Sequence, residues 1–173
     1  KGVSYNSYLI MDEKVVLIDT VDINFADLFF KKVGAVLGDK TIDYLVVNHM
    51  EPDHSGSIEL LLMKYPNIKI VGNKRTAEML EGYYGITENV IIIEDGDELN
   101  IGVDDLKFYL TPMVHWPETM MTYLQGSKTL FSADAFGTFG SLDGGVMDSE
   151  LNPDKYWNEM VRYYSNIVGK FVT

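Results

Sequence analysis

The chain has 173 residues, enough for one domain with a sizeable core, and its 46% hydrophobic and 23% charged residues are ordinary globular composition. No apolar run approaches the length of a membrane span, and 14 basic residues against 26 acidic ones (net charge −12) form no basic cluster of the kind that binds nucleic acid. Cysteine is absent, which excludes disulfides, thiolate metal sites and a cysteine nucleophile.

No secretory pattern is visible, so a cytoplasmic location is expected. The chain opens on Lys1 and stops at Thr173 inside a pattern that still reads as helix, so a piece of a longer protein is expected.

In chain order, residues 4–10 and 15–19 read as a hairpin around a turn at 11–14. Residues 24–37 read as an amphipathic helix, with Phe25, Leu28, Phe29, Val33 and Val36 near helical spacing. A buried strand over 42–47 leads into a turn at His49, and a helix over 56–65 stops before Pro66. Then follow a strand at 69–72, a helix at 74–84, a strand at 90–94 and the turn signal Asp95-Gly96. Residues 106–111 form a strand ending at Pro112, followed by a loop with His115-Trp116-Pro117. Residues 119–124 and 129–132 read as a second hairpin around Gly126-Ser127, and 134–145 as a glycine-rich loop. Asn152-Pro153 opens a last helix carrying Trp157, Met160, Val161, Tyr164, Ile167, Val168 and Phe171. Hairpins mixed with strand–helix alternation predict a mixed α/β sandwich in one domain.

The most informative stretch is His49-Met50-Glu51-Pro52-Asp53-His54, with four metal-capable side chains in a turn after a strand. His115 and Asp134 sit in two further loops after strands, so all three histidines of the chain fall in such loops. Singly, each is ordinary: His115 could stack on Trp116, and Asp134 could cap a turn. Jointly, they predict a site with two metals. Side-chain alternation would point His49, Glu51 and Asp53 one way and His54 the other. One metal would take His49 and Glu51, completed by His115, and the other Asp53 and His54. Asp134, with two oxygens, suits a bridge between ions about 3.5–4 Å apart. Carboxylate-rich, thiolate-free ligation favours iron or manganese over zinc.

These residues resemble the flavodiiron proteins. The resemblance lies in His49-x-Glu51-x-Asp53-His54 followed by His115 and Asp134, and in the text around them. That text includes Ser4-Tyr5-Asn6-Ser7-Tyr8-Leu9, Glu81-Gly82-Tyr83-Tyr84-Gly85, His115-Trp116-Pro117-Glu118-Thr119-Met120 and Phe131-Ser132-Ala133-Asp134-Ala135-Phe136-Gly137. Glu51 stands where the zinc hydrolases of the same superfamily carry imidazole. The resemblance implies a metallo-β-lactamase-like αββα sandwich, truncated at both ends, followed in the family by a flavodoxin-like FMN domain that this chain does not include. It implies a diiron centre reducing O₂ to water or NO to N₂O. His49, Glu51 and His115 would hold one iron, Asp53 and His54 the other, and Asp134 would bridge them. The family's last histidine ligand would fall beyond Thr173, so this piece alone is expected neither to bind FMN nor to turn over. The resemblance further implies a head-to-tail homodimer, with electrons from rubredoxin or a flavin reductase. Tyr163 and Tyr164 are candidates to line the pocket, and Tyr164 is the expected catalytic hydroxyl. The competing expectations are a binuclear zinc hydrolase acting on a thioester, lactone or phosphodiester, and a non-catalytic diiron sensor of O₂.

Overall fold

The structure, a computed structural model, describes residues 4–140, 145 and 147–169. Among the described residues, nine short strands form two sheets. The first has the order β1 (Tyr8–Met11), β2 (Val15–Ile18), β3 (Tyr44–Val46), β4 (Lys69–Gly72) and β5 (Val90–Ile92). β1 pairs antiparallel with β2 in the register Tyr8 to Ile18, and the remaining neighbours are parallel. The second sheet is an antiparallel meander of β6 (Glu98–Asn100), β7 (Asp105–Leu110), β8 (Met120–Leu124) and β9 (Thr129–Phe131).

Parallel strands need crossovers, and helices supply them. α1 (Ala26–Leu37) follows β2, α2 (Pro52–Ser55) and α3 (Ile58–Lys64) follow β3, and α4 (Lys74–Tyr84) follows β4. Asn73 caps α4, its side chain accepting the Arg75 and Thr76 amides, and left-handed Gly85 closes it. The last helix, α5 (Pro153–Ile167), starts as its Asn-Pro signal predicts, with Asn152 accepting the Asp154 amide.

Strand alternation divides the core into two layers. Val15 and Leu17 of β2 join Leu45, Ile70 and helix residues Phe29, Val33, Leu37, Ile58, Leu61 and Leu80. Val16 and Ile18 face the other way, meeting Val46, Val71, Leu106, Phe108, Met120 and Phe131 between the sheets. β2 is therefore buried on both faces, which explains its unbroken apolar run Val-Val-Leu-Ile. The two stacked sheets and the helices on the first are the expected metallo-β-lactamase-like arrangement.

Three details depart from the expectations. A single turn of 3₁₀ helix, Ile23–Phe25, precedes α1, whose buried stripe is Ala26, Phe29, Val33 and Leu37. Leu28 and Val36, expected on that stripe, are 51% and 63% exposed, because the face through 26, 29, 33 and 37 turns both of them away from the core. The helix expected at 56–65 is α3, and a separate short helix, α2, forms ahead of it at Pro52–Ser55. β6 was not expected; its three residues, between Gly96 and Gly102, are too few to show periodicity. Phe171 and part of the 134–145 loop lie outside the described residues.

Candidate metal centre

β3 carries the chain into the site, and His49 follows its end with no exposed surface. Glu51 stands at the N-cap of α2, where Pro52 fits because the first helical amide needs no partner. Asp53 and His54 then lie on one helical turn, so the strand-like alternation expected there does not apply. That turn is braced from several sides. Thr20 donates its amide and hydroxyl to the His54 carbonyl at 2.7 and 2.8 Å. Ser55 donates to the Met50 carbonyl at 2.8 Å and meets the Tyr84 hydroxyl of α4 at 2.9 Å. His115 arrives from the β7–β8 loop, and Asp134 from the turn after β9.

All six expected side chains are brought together, in two groups that share Asp134. His49, Glu51, His115 and Asp134 offer ligand atoms within 4.8 Å of one another, and so do Asp53, His54 and Asp134. In the first group, His49 Nε2 lies 3.1 Å from His115 Nε2, 3.3 Å from Glu51 Oε2 and 3.4 Å from Asp134 Oδ2. His115 Nε2 lies 3.1 Å from both Glu51 Oε2 and Asp134 Oδ2. These separations resemble the edges of a tetrahedron, about 3.4 Å, around an ion bonded at about 2.1 Å. In the second group, His54 Nε2 lies 3.0 Å from Asp134 Oδ1 and 4.0 Å from Asp53 Oδ2. Asp53 Oδ1 is buried without a hydrogen-bond partner among the described residues, an acceptor that a cation would satisfy.

The electrostatics point to positive charge. Burial pushes His54 down, but hydrogen bonds to Asp134 and Asp19 outweigh it and raise the imidazole to about 11. Burial likewise opposes the bonds of His49 to Glu118 and Glu51, which prevail and raise it to about 9. Asp134 is driven to about 2, burial being overcome by its bond to His54 and by the neighbouring imidazoles. The hydrogen bond from His49 lowers Glu51, whereas burial raises Asp53. Protons on these imidazoles stand in for the charge that metal ions would bring. Three imidazoles and three carboxylates, one of them with an orphaned oxygen, thus form a nitrogen–oxygen donor set that fits two divalent or trivalent ions.

Four non-glycine residues around the site adopt positive φ: Asp19 at 53°, Met113 at 67°, Ala133 at 48° and Phe136 at 66°. Such conformations persist only where surrounding structure enforces them, and they concentrate at functional sites. A cavity of about 640 Å³ opens over the donor set, walled by Phe131, Phe136, Phe139, Met160 and Tyr163. Trp116 packs edge-on against the His49 ring at 5.3 Å.

Tyr164 is not brought to the site. It is 47% exposed on α5, whereas Tyr163, one residue earlier, lines the cavity with Asp134. Burial, with the negative charge of Asp134 nearby, raises the Tyr163 phenol and keeps it protonated. Two buried carboxylates, Asp19 and Glu118, were not singled out by the sequence. Glu118 accepts His49 Nδ1–H at 2.7 Å, and Asp19 accepts His54 Nδ1–H at 3.2 Å. Their only advance signals were position: Asp19 follows a strand as the other acidic residues do, and Glu118 lies three residues after His115.

A family model described as "ODP family beta lactamase" matches residues 3–170. The chain belongs to this ODP family. Among curated relatives, the ODP domain described here is 41% identical to an anaerobic nitric oxide reductase flavorubredoxin of Vibrio vulnificus and 42% identical to one of Aliivibrio fischeri. Each alignment covers 99% of this chain but 35% of the relative, so the ODP chain spans about a third of their length. Among solved structures, the flavodiiron protein of Giardia intestinalis superposes with a TM-score of 0.89 at 35% identity, over 96% of this chain and 41% of that one. The rubredoxin oxygen:oxidoreductase of Desulfovibrio gigas gives a TM-score of 0.89 at 31% identity, over 95% of this chain and 41% of that one. Among the described residues, no helix of the ODP domain is long and apolar enough to cross a membrane.

Proposed function

We propose that this ODP domain is the diiron part of a flavodiiron protein, an oxidoreductase that reduces NO to N₂O, O₂ to water, or both. The observation carrying the reading is the shared placement of Asp134, whose two oxygens face two separate donor groups, one of them containing Glu51 rather than a further imidazole. His49, Glu51 and His115 would hold one iron, Asp53 and His54 the other, and Asp134 would join them. Two irons held by these residues would supply electrons in pairs to a diatomic gas.

The chain's own residues prepare that chemistry. Buried His49 and Glu118 back the donor set, and the aromatic walls at Phe131 and Phe139 lower the local polarity and strengthen charge interactions there. Tyr163, protonated and lining the cavity with Asp134, offers a hydroxyl there and takes the role expected of Tyr164. The names of the relatives support the gas substrates and a rubredoxin-type donor. The reading includes FMN on a flavodoxin-like domain outside this chain, a flavin reductase as an alternative donor, a head-to-tail homodimer and a cytoplasmic location. Residues 1–173 are then one incomplete domain of the longer protein.

The test is elemental analysis of the full-length protein purified without oxygen, followed by NO and O₂ consumption with reduced donor. Iron near two per chain with gas consumption supports the reading. Zinc in its place, with thioester, lactone or phosphodiester hydrolysis, overturns it. Iron without consumption favours the sensor.

A further inference from the structure

Two buried carboxylates grip the metal loop from opposite sheets. Glu118, just before β8, is fully buried, and its Oε1 accepts both His49 Nδ1–H at 2.7 Å and the Met50 amide at 2.8 Å. Its backbone is fixed in turn, since Asn73 donates to the Glu118 carbonyl at 2.6 Å. Asp19, just after β2, is 3% exposed, and its Oδ2 accepts His54 Nδ1–H at 3.2 Å while Oδ1 accepts the Asn48 amide at 2.7 Å. Its backbone is tied by its amide to Val46 at 2.9 Å and by Ser7 to its carbonyl at 2.8 Å. Each carboxylate therefore holds one imidazole and one backbone amide of the 48–54 segment.

We propose that Glu118 and Asp19 are a divided pair of positioning residues, Glu118 orienting His49 for one metal and Asp19 orienting His54 for the other. This rests on the two-metal reading above. A carboxylate only accepts, so it fixes the proton on Nδ1 and leaves the Nε2 lone pair facing the shared Asp134. It also makes the imidazole a stronger donor to a metal. Burying an ionised carboxylate is costly, and a neutral side chain could hold the same amides. The charge is repaid where a cation sits beyond the imidazole. Together with Glu51, Asp53 and Asp134, the outer pair brings the local carboxylate charge from −3 to −5, which favours the more highly charged metal state.

The experiment is a Co²⁺ titration of the metal-free full-length protein, read by absorption, alongside reduction potentials of the iron-loaded form. The variants are the near-isosteric Glu118→Gln and Asp19→Asn. Wild type is expected to bind two ions. Glu118→Gln should weaken one binding step about 10- to 100-fold, Asp19→Asn the other by a similar factor. Both should shift the reduction potential upward, because a lost negative charge disfavours the oxidised state. A merely structural role would lower the melting temperature of both variants and leave step-specific affinity and potential in place; that result overturns the inference and leaves the two-metal reading standing. Wild type that takes up no metal overturns both. Circular dichroism of the metal-free forms checks folding, and if Glu118→Gln does not fold, Asp19→Asn decides.

Discussion

His54 Nε2 stands 3.0 Å from Asp134 Oδ1, which leaves Oδ2 to face His115 at 3.1 Å. One carboxylate therefore belongs to both donor groups, and its loss should not be local. Asp134→Ala is expected to lower metal content at both positions, whereas Asp53→Ala should lower it at one. Elemental analysis of the full-length variants checks this, with affinity losses of about 10-fold or more.

The metal-free protein should lose stability as pH rises. The folded pKa of His54 is raised from 6.5 to about 11 and that of His49 to about 9, so the folded state binds these protons more tightly than the unfolded chain. The stabilisation is fully present below pH 6.5 and lost as pH climbs through about 9 and then about 11. On the acid side the sign reverses. Asp134, depressed from 3.8 to about 2, stabilises above 3.8 and ceases to as pH falls through about 2. Thermal melts of metal-free protein should show a decline of several degrees between pH 7 and 10, roughly 1 kcal/mol or more. Metal-loaded protein should not, because metal replaces those protons.

Tyr163 and Tyr164 should separate cleanly. Tyr163→Phe removes the hydroxyl beside Asp134 and should slow gas reduction about 10-fold with metal retained. Tyr164→Phe, on the exposed side of α5, should leave the rate within about twofold. Gly137→Ala should resemble Tyr163→Phe, because its methyl would sit 2.8 Å from the Tyr163 ring and push it away. Steady-state kinetics with parallel iron analysis distinguishes the three.

Gly56→Ala should destabilise the metal turn through crowding. Its backbone is helical, but an added methyl would meet the Pro52 carbonyl at 2.6 Å and the Ile23 amide at 3.1 Å, both backbone atoms that cannot swing aside. A loss of about 1–3 kcal/mol is expected. In the inter-sheet core, Phe108→Ala should cost about 3–5 kcal/mol, since Phe108 is fully buried. Urea unfolding of the full-length protein measures both.

The sequence by itself determined the order and type of most elements and the identity of the six clustered donors. Val-Val-Leu-Ile of β2 reads as a strand because apolar continuity is local, and Asn152-Pro153 reads as a helix start because capping is local. His49, Glu51, Asp53 and His54 announce themselves because they fall within six residues, and His115 and Asp134 because they sit in loops after strands. Only the tertiary structure decided what lies behind them. Asp19 and Glu118 come from different sheets and reach the imidazoles across sequence separations of 35 and 69 residues, so neither could be told from a surface carboxylate before the sheets stack. The choice of Tyr163 over Tyr164 likewise rests on the rotation of α5 about its axis. Adjacent residues on a helix differ by about 100°, and only packing against the cavity sets which hydroxyl points in.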